Sequence, residues 1–454
     1  MANPHVLVVP YPAQGHVIPL LELSRCLVKH GVRVTFVNTE LIHMQMKEAL
    51  AMEDDTGSKI RQVFITVGLE SLEHMKNSGK LTEAILRVLP RKLDELIEQI
   101  NGSNGERITC LLVDQTLGWA LEIAEKKAIR RAAFCPAAAA LLVLGLSIPK
   151  MIEDGIIDSD GTPMKKQVIK LSPDMPAMNT EEFVWACLGN KAMQKNVFEL
   201  IVRNNKSSKL AEWLLCNSSY DLETAAFTMA PQILPIGPLL ASNRLEEDFA
   251  GNFMPQDSCL TWLDQQATQS VIYVAFGSLA VFNPKQFKEL ALGLELSNRP
   301  FLWVVRPDTI HTENEAYLKE FSDRVATQGQ IVAWAPQQRV LSHLSIACFV
   351  SHCGWNSTME GLGYGVPFLC WPYFADQFLN QTYICEIWKA GLGFVKDESG
   401  IITSGEIENK VEQLLGNGEM KARALDIKKL VMNGIKEGGG SNKNFKDFVE
   451  WIKG

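Results

Sequence analysis

Two sets of residues in this chain have types and spacing that suit chemistry. The first is a pair: His16 follows the apolar run His5–Val9 where a helical pattern begins, and Asp114 follows a second apolar run, Ile108–Val113. If both runs are parallel strands, both side chains reach the carboxyl edge of one sheet, where open α/β folds bind ligands. There a carboxylate can hold an imidazole in one tautomer and stabilise its protonated form while the ring takes a proton from a hydroxyl. Each residue also has a structural reading. The histidine can serve the fold at a helix start, and the aspartate can cap the helical stretch Gly118–Lys127.

The second set occupies one continuous segment, WAPQQRVLSHLSIACFVSHCGWNSTMEGLGYGVPFLCWPYFADQ, from Trp334 to Gln377. Trp334 closes a strand read over Gln330–Trp334, and Pro336 makes Ala335 extended while serving as the first residue of the next helix. An indole on so stiff a corner presents a flat face to a heterocyclic base, a contact that contributes about 1–3 kcal/mol in nucleic-acid systems. The alternative is a core tryptophan at a strand end.

Next, the strand Ile346–Ser351 runs into His352-Cys353-Gly354-Trp355 and a helix beginning at Asn356-Ser357. Strand, glycine turn and helix start aim backbone N–H groups at one point, an anion site that fits a diphosphate. His352, Asn356 and Ser357 add side-chain donors, unless Asn356 or Ser357 only caps the helix. Glu360 has two readings. Ser357-Thr358-Met359-Glu360 matches a capping box, whereas a carboxylate one turn into a phosphate-binding helix can accept from two ribose hydroxyls. Asp376-Gln377, between the strand Val366–Trp371 and the helix Phe378–Trp388, is either a cap or a carboxylate and amide gripping sugar hydroxyls.

A metal site has one candidate, Asp158-Ser159-Asp160, which matches the DxD pattern of divalent-ion binding. Gly161, Thr162 and Pro163 follow it, so a surface turn is the stronger reading and no metal is expected.

These groups need a scaffold, and the hydrophobic pattern supplies one. Short apolar runs at His5–Val9, Val32–Val37, Arg61–Val67 and Ile108–Val113 alternate with helical patterns such as Ile18–His30, after which Gly31 stands where a left-handed cap is needed. The second half repeats the logic with Val271–Phe276, Phe301–Val305, Gln330–Trp334, Ile346–Ser351 and Val366–Trp371. This order predicts an α/β protein of two doubly wound lobes: residues 1–240, an acidic aperiodic linker over 241–257, and residues 258–440. Past Gly438-Gly439-Gly440, the residues Phe445, Val449, Trp451 and Ile452 recur at helical spacing, so a last helix, about 441–454, is expected to cross back to the first lobe.

With 454 residues, 46% of them hydrophobic and 21% charged, the chain has the length for two lobes and the composition of a globular enzyme. A net charge of −8 with no basic stripe argues against nucleic acid as a partner. Ten cysteines without a CxxC pair read as reduced thiols in a cytoplasmic protein. The N-terminus enters an apolar strand without a signal-peptide pattern. The apolar stretch Ala132–Ile148 contains Pro136 and is short for a membrane span, so it reads as a strand leading into a buried helix.

The whole segment Trp334–Gln377 resembles the signature box of the plant family 1 UDP-dependent glycosyltransferases, which have the two-lobed GT-B fold. Pro12-Ala13-Gln14-Gly15-His16, the Phe276-Gly277-Ser278 turn and the chain length support the likeness. The resemblance implies two Rossmann-like domains facing across a cleft, an N-terminal one for the acceptor and a C-terminal one for the UDP-sugar. It implies that Trp334 stacks on uracil, that the Ala335 backbone and Gln337 hold base and ribose, and that Glu360 binds ribose hydroxyls. His352, Gly354, Asn356, Ser357 and Ser278 fall at diphosphate positions, and Trp355, Asp376 and Gln377 at positions that face the sugar. Gln377 and Trp355 resemble the glucose-using members. His16 and Asp114 match the family's acid–base pair.

The expected reaction is metal-free and inverting, with UDP-glucose as co-substrate and no permanently bound cofactor, carried out by a monomer of plant secondary metabolism. One departure concerns Phe134-Cys135-Pro136-Ala137-Ala138-Ala139-Ala140, which lacks the hydroxyl that family members often place there against the sugar. Acceptor residues are sought at Phe134, Ala138, Trp185, Tyr373 and Phe374, a lipophilic set that favours a flavonoid, phenol or terpenoid. Whether oxygen, carbon, nitrogen or sulfur attacks stays open. A nicotinamide oxidoreductase is disfavoured because the first turn, Tyr11–His16, carries no GxGxxG, and an α/β-hydrolase because no GxSxG occurs. A non-catalytic UDP-sugar binder fits the box, but the presence of both His16 and Asp114 speaks against it.

Overall fold

The computed structural model describes residues 4–40, 42, 60–68, 81, 83–102, 107–240, 258–278, 280–307 and 310–454. The linker expected over 241–257 lies outside the described residues. By internal contacts the chain divides into one unit of Met1–Met175, Asn179–Phe253 and Asn433–Gly454, and a second of Pro176–Met178 and Met254–Met432.

The first unit is built on a seven-stranded parallel sheet in the order Ile60–Ile65, Arg33–Thr39, His5–Val9, Cys110–Asp114, Arg130–Cys135, Trp213–Cys216, Ile233–Pro235. Its strands are apolar on both faces because helices cover both. Val6 and Val8 point into one core with Leu20, Phe36 and Leu112, while Leu7 and Val9 point into another with Leu93, Leu111 and Val113. The first helix, Gln14–Lys29, is followed by Gly31 at φ +80°, the left-handed closure that its glycine permits. The chain's last helix, Gly440–Lys453, buries Phe445, Phe448, Val449 and Ile452 in the same core as Val6 and Val8. The apolar stretch that contains Pro136 is a strand, Arg130–Cys135, and then a helix, Ala139–Leu146.

The second unit has a six-stranded parallel sheet in the order Gly329–Val332, Phe301–Val304, Val271–Ala275, Ile346–Ser351, Phe368–Cys370, Gly391–Gly393. Ile272, Val274, Phe301, Trp303, Cys348 and Val350 share one apolar core. On the opposite face Tyr273 stacks on Phe349, with ring centroids 5.0 Å apart. Because all strands run the same way, the loops that begin at Phe276, Ala333, His352 and Trp371 leave the sheet at one edge.

The corner at Trp334 differs from the sequence expectation in two ways. The strand before Trp334 ends at Val332, so the indole stands two residues beyond it. Pro336 is the N-cap of the helix Gln337–Ser342 rather than its first residue, because Val340 already donates to the Pro336 carbonyl at 3.0 Å.

Candidate active site

In the first unit, strands His5–Val9 and Cys110–Asp114 are neighbours, with Val9 opposite Val113, so the residues that follow them emerge side by side. His16 lies in the first turn of its helix, and its Nδ1 stands 2.8 Å from Asp114 Oδ2. The other carboxylate oxygen, Oδ1, accepts from the Thr116 amide at 2.9 Å and from its hydroxyl at 2.6 Å. Asp114 therefore caps its own turn and orients the histidine at once. Its side chain is fully buried, while that of His16 is 29% exposed, so the ring keeps an open side. Tyr11 packs on that ring, with centroids 4.9 Å apart. Burial, reinforced by the Asp114 charge, pushes the Tyr11 phenol up to about 12, so it stays neutral beside the pair.

In the second unit, strands Val271–Ala275 and Ile346–Ser351 run in register, with Ala275 opposite Ser351, and their loops leave together. The Gly277-Ser278 turn and the His352-Cys353-Gly354 turn meet around the His352 ring. A Cβ on Gly277 would stand 2.7 Å from its Nε2, and one on Gly354 2.4 Å, so a side chain at either position would displace the ring. Cys353 takes φ +63° to complete the turn. Burial pulls the His352 imidazole down to about 4, which leaves it neutral at pH 7.

The helix Trp355–Tyr364 begins one residue earlier than the sequence suggested, with Gly354 as N-cap and no side-chain cap. Neither Asn356 nor Ser357 is the cap, and no capping side chain takes up the first amides of this helix, the arrangement that a helix N-terminus offers to an anion. Ser357 is the third helical residue, which also removes the capping-box reading of Glu360. Instead the Gln337 amide donates to Glu360 Oε2 at 2.6 Å and to Ser357 Oγ at 2.9 Å, and the Gln338 amide donates to Glu360 Oε1 at 3.1 Å.

Trp334 is 48% exposed, so it is no core tryptophan, whereas the neighbouring Ala335 is buried. Asp376 stands at the N-cap of Gln377–Thr382 without a side-chain cap bond, its carbonyl accepting from the Asn380 amide at 3.0 Å. Its Oδ2 accepts from Asn380, whose amide also donates to the Cys353 carbonyl at 2.9 Å, and this ties Asp376 to the turn after His352. Gln377 is buried, and its Oε1 accepts from the amides of Tyr373 and Phe374 at 2.7 and 3.1 Å. The Trp355 indole is buried, with its ring centroid 6.3 Å from that of Trp388.

The family-wide features of the sequence are borne out by comparison. A chain from Arabidopsis thaliana, UDP-glycosyltransferase 83A1, is 50% identical over 463 residues, a match that spans 100% of this chain and 97% of that one. The chain belongs to the plant family 1 UDP-glycosyltransferases. The pattern described as UDP-glucoronosyl and UDP-glucosyl transferase matches residues 239–432, and that of the glycosyltransferase N-terminal domain matches residues 3–73. Among solved structures, Os79 from O. sativa in complex with UDP has a TM-score of 0.81 at 27% identity, covering 98% of this chain and 100% of its own. A UDP-glucosyltransferase from Polygonum tinctorium capable of glucosylating indoxyl, in complex with 3,4-dichloroaniline, has a TM-score of 0.83 at 26% identity, covering 100% and 99%. The fold of this UDP-glycosyltransferase is GT-B, and its activity is sugar transfer from a UDP-sugar to an acceptor.

Some expected acceptor residues present no surface to a ligand. Phe134 is fully buried in the core shared with Val6 and Leu112, because its strand carries helices on both faces, and Ala138 is fully buried as well. Trp185 packs between Phe183 and Phe198, at centroid distances of 5.0 and 5.4 Å, and donates to the Gly161 carbonyl at 2.8 Å. By contrast Tyr373 is 45% exposed, with Phe374 beside it. The DxD candidate is a turn: Asp158 Oδ1 accepts from the amides of Asp160 and Thr162, and Asp160 pairs with Lys195 at 3.1 Å. No helix among the described residues is long and apolar enough to cross a membrane.

Sequence reasoning missed Tyr11, Thr116, Tyr273, Gln338 and Asn380. Tyr273 and Gln338 act through partners distant in sequence, whereas Thr116 lies two residues from Asp114, the spacing of an Asx turn, Asn380 four from Asp376 and Tyr11 five from His16.

Proposed function

We propose that this UDP-glycosyltransferase moves glucose from UDP-glucose to a hydroxyl of a small lipophilic acceptor, with inversion at the anomeric carbon and His16 as general base. The observation that carries this reading is the 2.8 Å pairing of His16 Nδ1 with the buried carboxylate of Asp114. With Nδ1 committed to Asp114, Nε2 is the atom that takes the acceptor proton, and the carboxylate stabilises the resulting imidazolium. The acceptor oxygen bonds to the anomeric carbon as the bond to UDP breaks on the opposite face. A phenol titrates near pH 10 (about 10 in reference peptides), so a base of intermediate strength helps during the step without ionising the acceptor beforehand.

The donor is held by the second unit. Trp334 stacks on uracil, the Ala335 backbone and Gln337 hold base and ribose, and Glu360 accepts from the ribose hydroxyls. Ser278, His352, Asn356, Ser357 and the amides after Gly354 meet the diphosphate, and these stabilise the charge that develops on departing UDP. Asp376, Gln377 and the Trp355 position face the sugar. Because Gln377 Oε1 already holds the Tyr373–Phe374 backbone, its contribution to a sugar hydroxyl comes from Nε2.

Glucose is supported by the Trp355 and Gln377 positions and by Phytolacca americana UGT2, 26% identical, whose structure is complexed with UDP-2fluoro-glucose and pterostilbene. Small acceptors are supported by that complex and by the indoxyl-glucosylating neighbour. The reaction runs without a metal, in the cytoplasm, where ten free thiols suit a reducing compartment. The test is UDP release from UDP-glucose with a panel of phenols and terpenoids, with product mass, anomeric configuration and a chelator arm. A β-glucoside formed at an unchanged rate with chelator supports the proposal. UDP-glucose that is no better a donor than UDP-galactose or UDP-glucuronate, or an α-linked product, overturns it.

A further inference from the structure

We infer that Gln338 is a positioning residue that holds the Glu360 carboxylate in the plane needed to recognise a ribose diol, and so sets the enzyme's discrimination against 2′-deoxyribose donors. The inference rests on the proposed role of Glu360 as the ribose ligand.

The two oxygens of Glu360 are anchored separately. Gln337 Nε2 donates to Oε2 at 2.6 Å, and Gln338 Nε2, from the next residue of the same helix, donates to Oε1 at 3.1 Å. An ionised carboxylate only accepts, so both amides must turn their nitrogens toward it. The oxygen of Gln337 is then left to face Tyr273, whose hydroxyl lies 3.3 Å away, and the same Gln337 nitrogen also reaches Ser357 Oγ at 2.9 Å. Tyr273 is buried under this network, and its phenol is pushed far up by burial and by the Glu360 charge, so it remains a neutral donor.

One anchor would leave the carboxylate able to pivot about a single oxygen. Two anchors on different oxygens fix its plane. A vicinal diol presents two hydroxyls at a spacing that fits the two oxygens, one to each. A 2′-deoxyribose offers one hydroxyl, which needs no fixed plane. Loss of Gln338 therefore costs binding of the diol more than binding of the single hydroxyl. Gln337 is expected to contact the nucleotide itself, which makes Gln338 the anchor that stays with Glu360 when the donor binds.

The experiment measures calorimetric affinities for UDP and 2′-deoxy-UDP in the full-length enzyme and in Gln338→Leu, Gln338→Glu and Glu360→Gln, each checked for an unchanged melting temperature. Gln338→Leu is expected to weaken UDP by about fivefold to tenfold while 2′-deoxy-UDP stays within about twofold, so the preference for ribose collapses. Gln338→Glu, similar in size but unable to donate when ionised, gives a larger loss in the same direction. With UDP-glucose as substrate the loss appears in KM rather than kcat. A Gln338→Leu enzyme that weakens both nucleotides equally, or neither, overturns the inference. If Glu360→Gln abolishes the ribose preference while Gln338→Leu retains it, the inference fails and the ribose reading of Glu360 stands. If Glu360→Gln retains it, both fall.

Discussion

Asp114 divides its two carboxylate oxygens between His16 and its own turn: Oδ2 lies 2.8 Å from His16 Nδ1, and Oδ1 takes the amide and hydroxyl of Thr116. The turn is itself clamped. Asn204, buried on the helix Lys191–Ser207, donates to the Thr116 carbonyl at 2.7 Å and accepts from the Gly118 amide at 3.1 Å. A carboxylate held from behind in this way cannot rotate freely, so its free oxygen presents one direction to the imidazole, and the imidazole presents one nitrogen outward.

Asp114→Asn tests that arrangement. The amide oxygen can still accept from Thr116, which turns the amide nitrogen toward His16 Nδ1 and demands the other tautomer of the ring. Turnover with UDP-glucose is expected to fall by up to about 10⁴, the scale seen when the aspartate of a Ser-His-Asp triad is made neutral, with UDP affinity unchanged. Steady-state kinetics beside calorimetry checks this, and a rate within a few-fold of the parent would remove Asp114 from the mechanism.

Trp334→Ala is expected to weaken the UDP-sugar without weakening the fold. The indole is 48% exposed, so its removal leaves no core cavity and the melting temperature holds. Loss of stacking on uracil, about 1–3 kcal/mol, raises KM for the donor by roughly 5-fold to 150-fold, and Trp334→Phe recovers most of it. An unchanged KM would place the base elsewhere.

His352 gives a pH dependence with a definite sign. Its imidazole ordinarily titrates at 6.5 and is lowered to about 4 by burial. Between these values the unfolded chain binds a proton that the folded chain does not, so stability falls as pH drops from 6.5 toward 4, and is complete above 6.5. A shift of this size corresponds to about 3 kcal/mol at most. Melting curves across this window should fall more steeply for the parent than for His352→Gln. A bound diphosphate favours the protonated ring, so saturating UDP should flatten the dependence.

Much of this was legible because the relevant signals are local. His5–Val9 and Ile346–Ser351 are apolar runs with turn residues at their ends, and both are strands over those residues. The glycine turn before Trp355 was legible because strand, glycine and helix start follow one another in the sequence, and the helix does begin there. What was not legible depends on partners distant in sequence. Tyr273 meets Gln337 and Asn380 meets Cys353 only after the sheet has formed. Phe134 and Trp185 looked available because their sequence neighbourhood is lipophilic, yet burial is decided by which helices cover the strand. The strand Gly391–Gly393 carries two glycines in three residues, a pattern with no strand propensity, and it is held by pairing with Phe368–Cys370.

His16 as the proton acceptor is the central step of the proposed reaction. Single-turnover glucosylation by His16→Ala at saturating UDP-glucose and a reactive phenol tests it directly, with UDP affinity measured on the same sample. The expected result is a rate at least about 100-fold below the parent with UDP bound as tightly as before, the scale of a lost general base. A rate within a few-fold of the parent would contradict it.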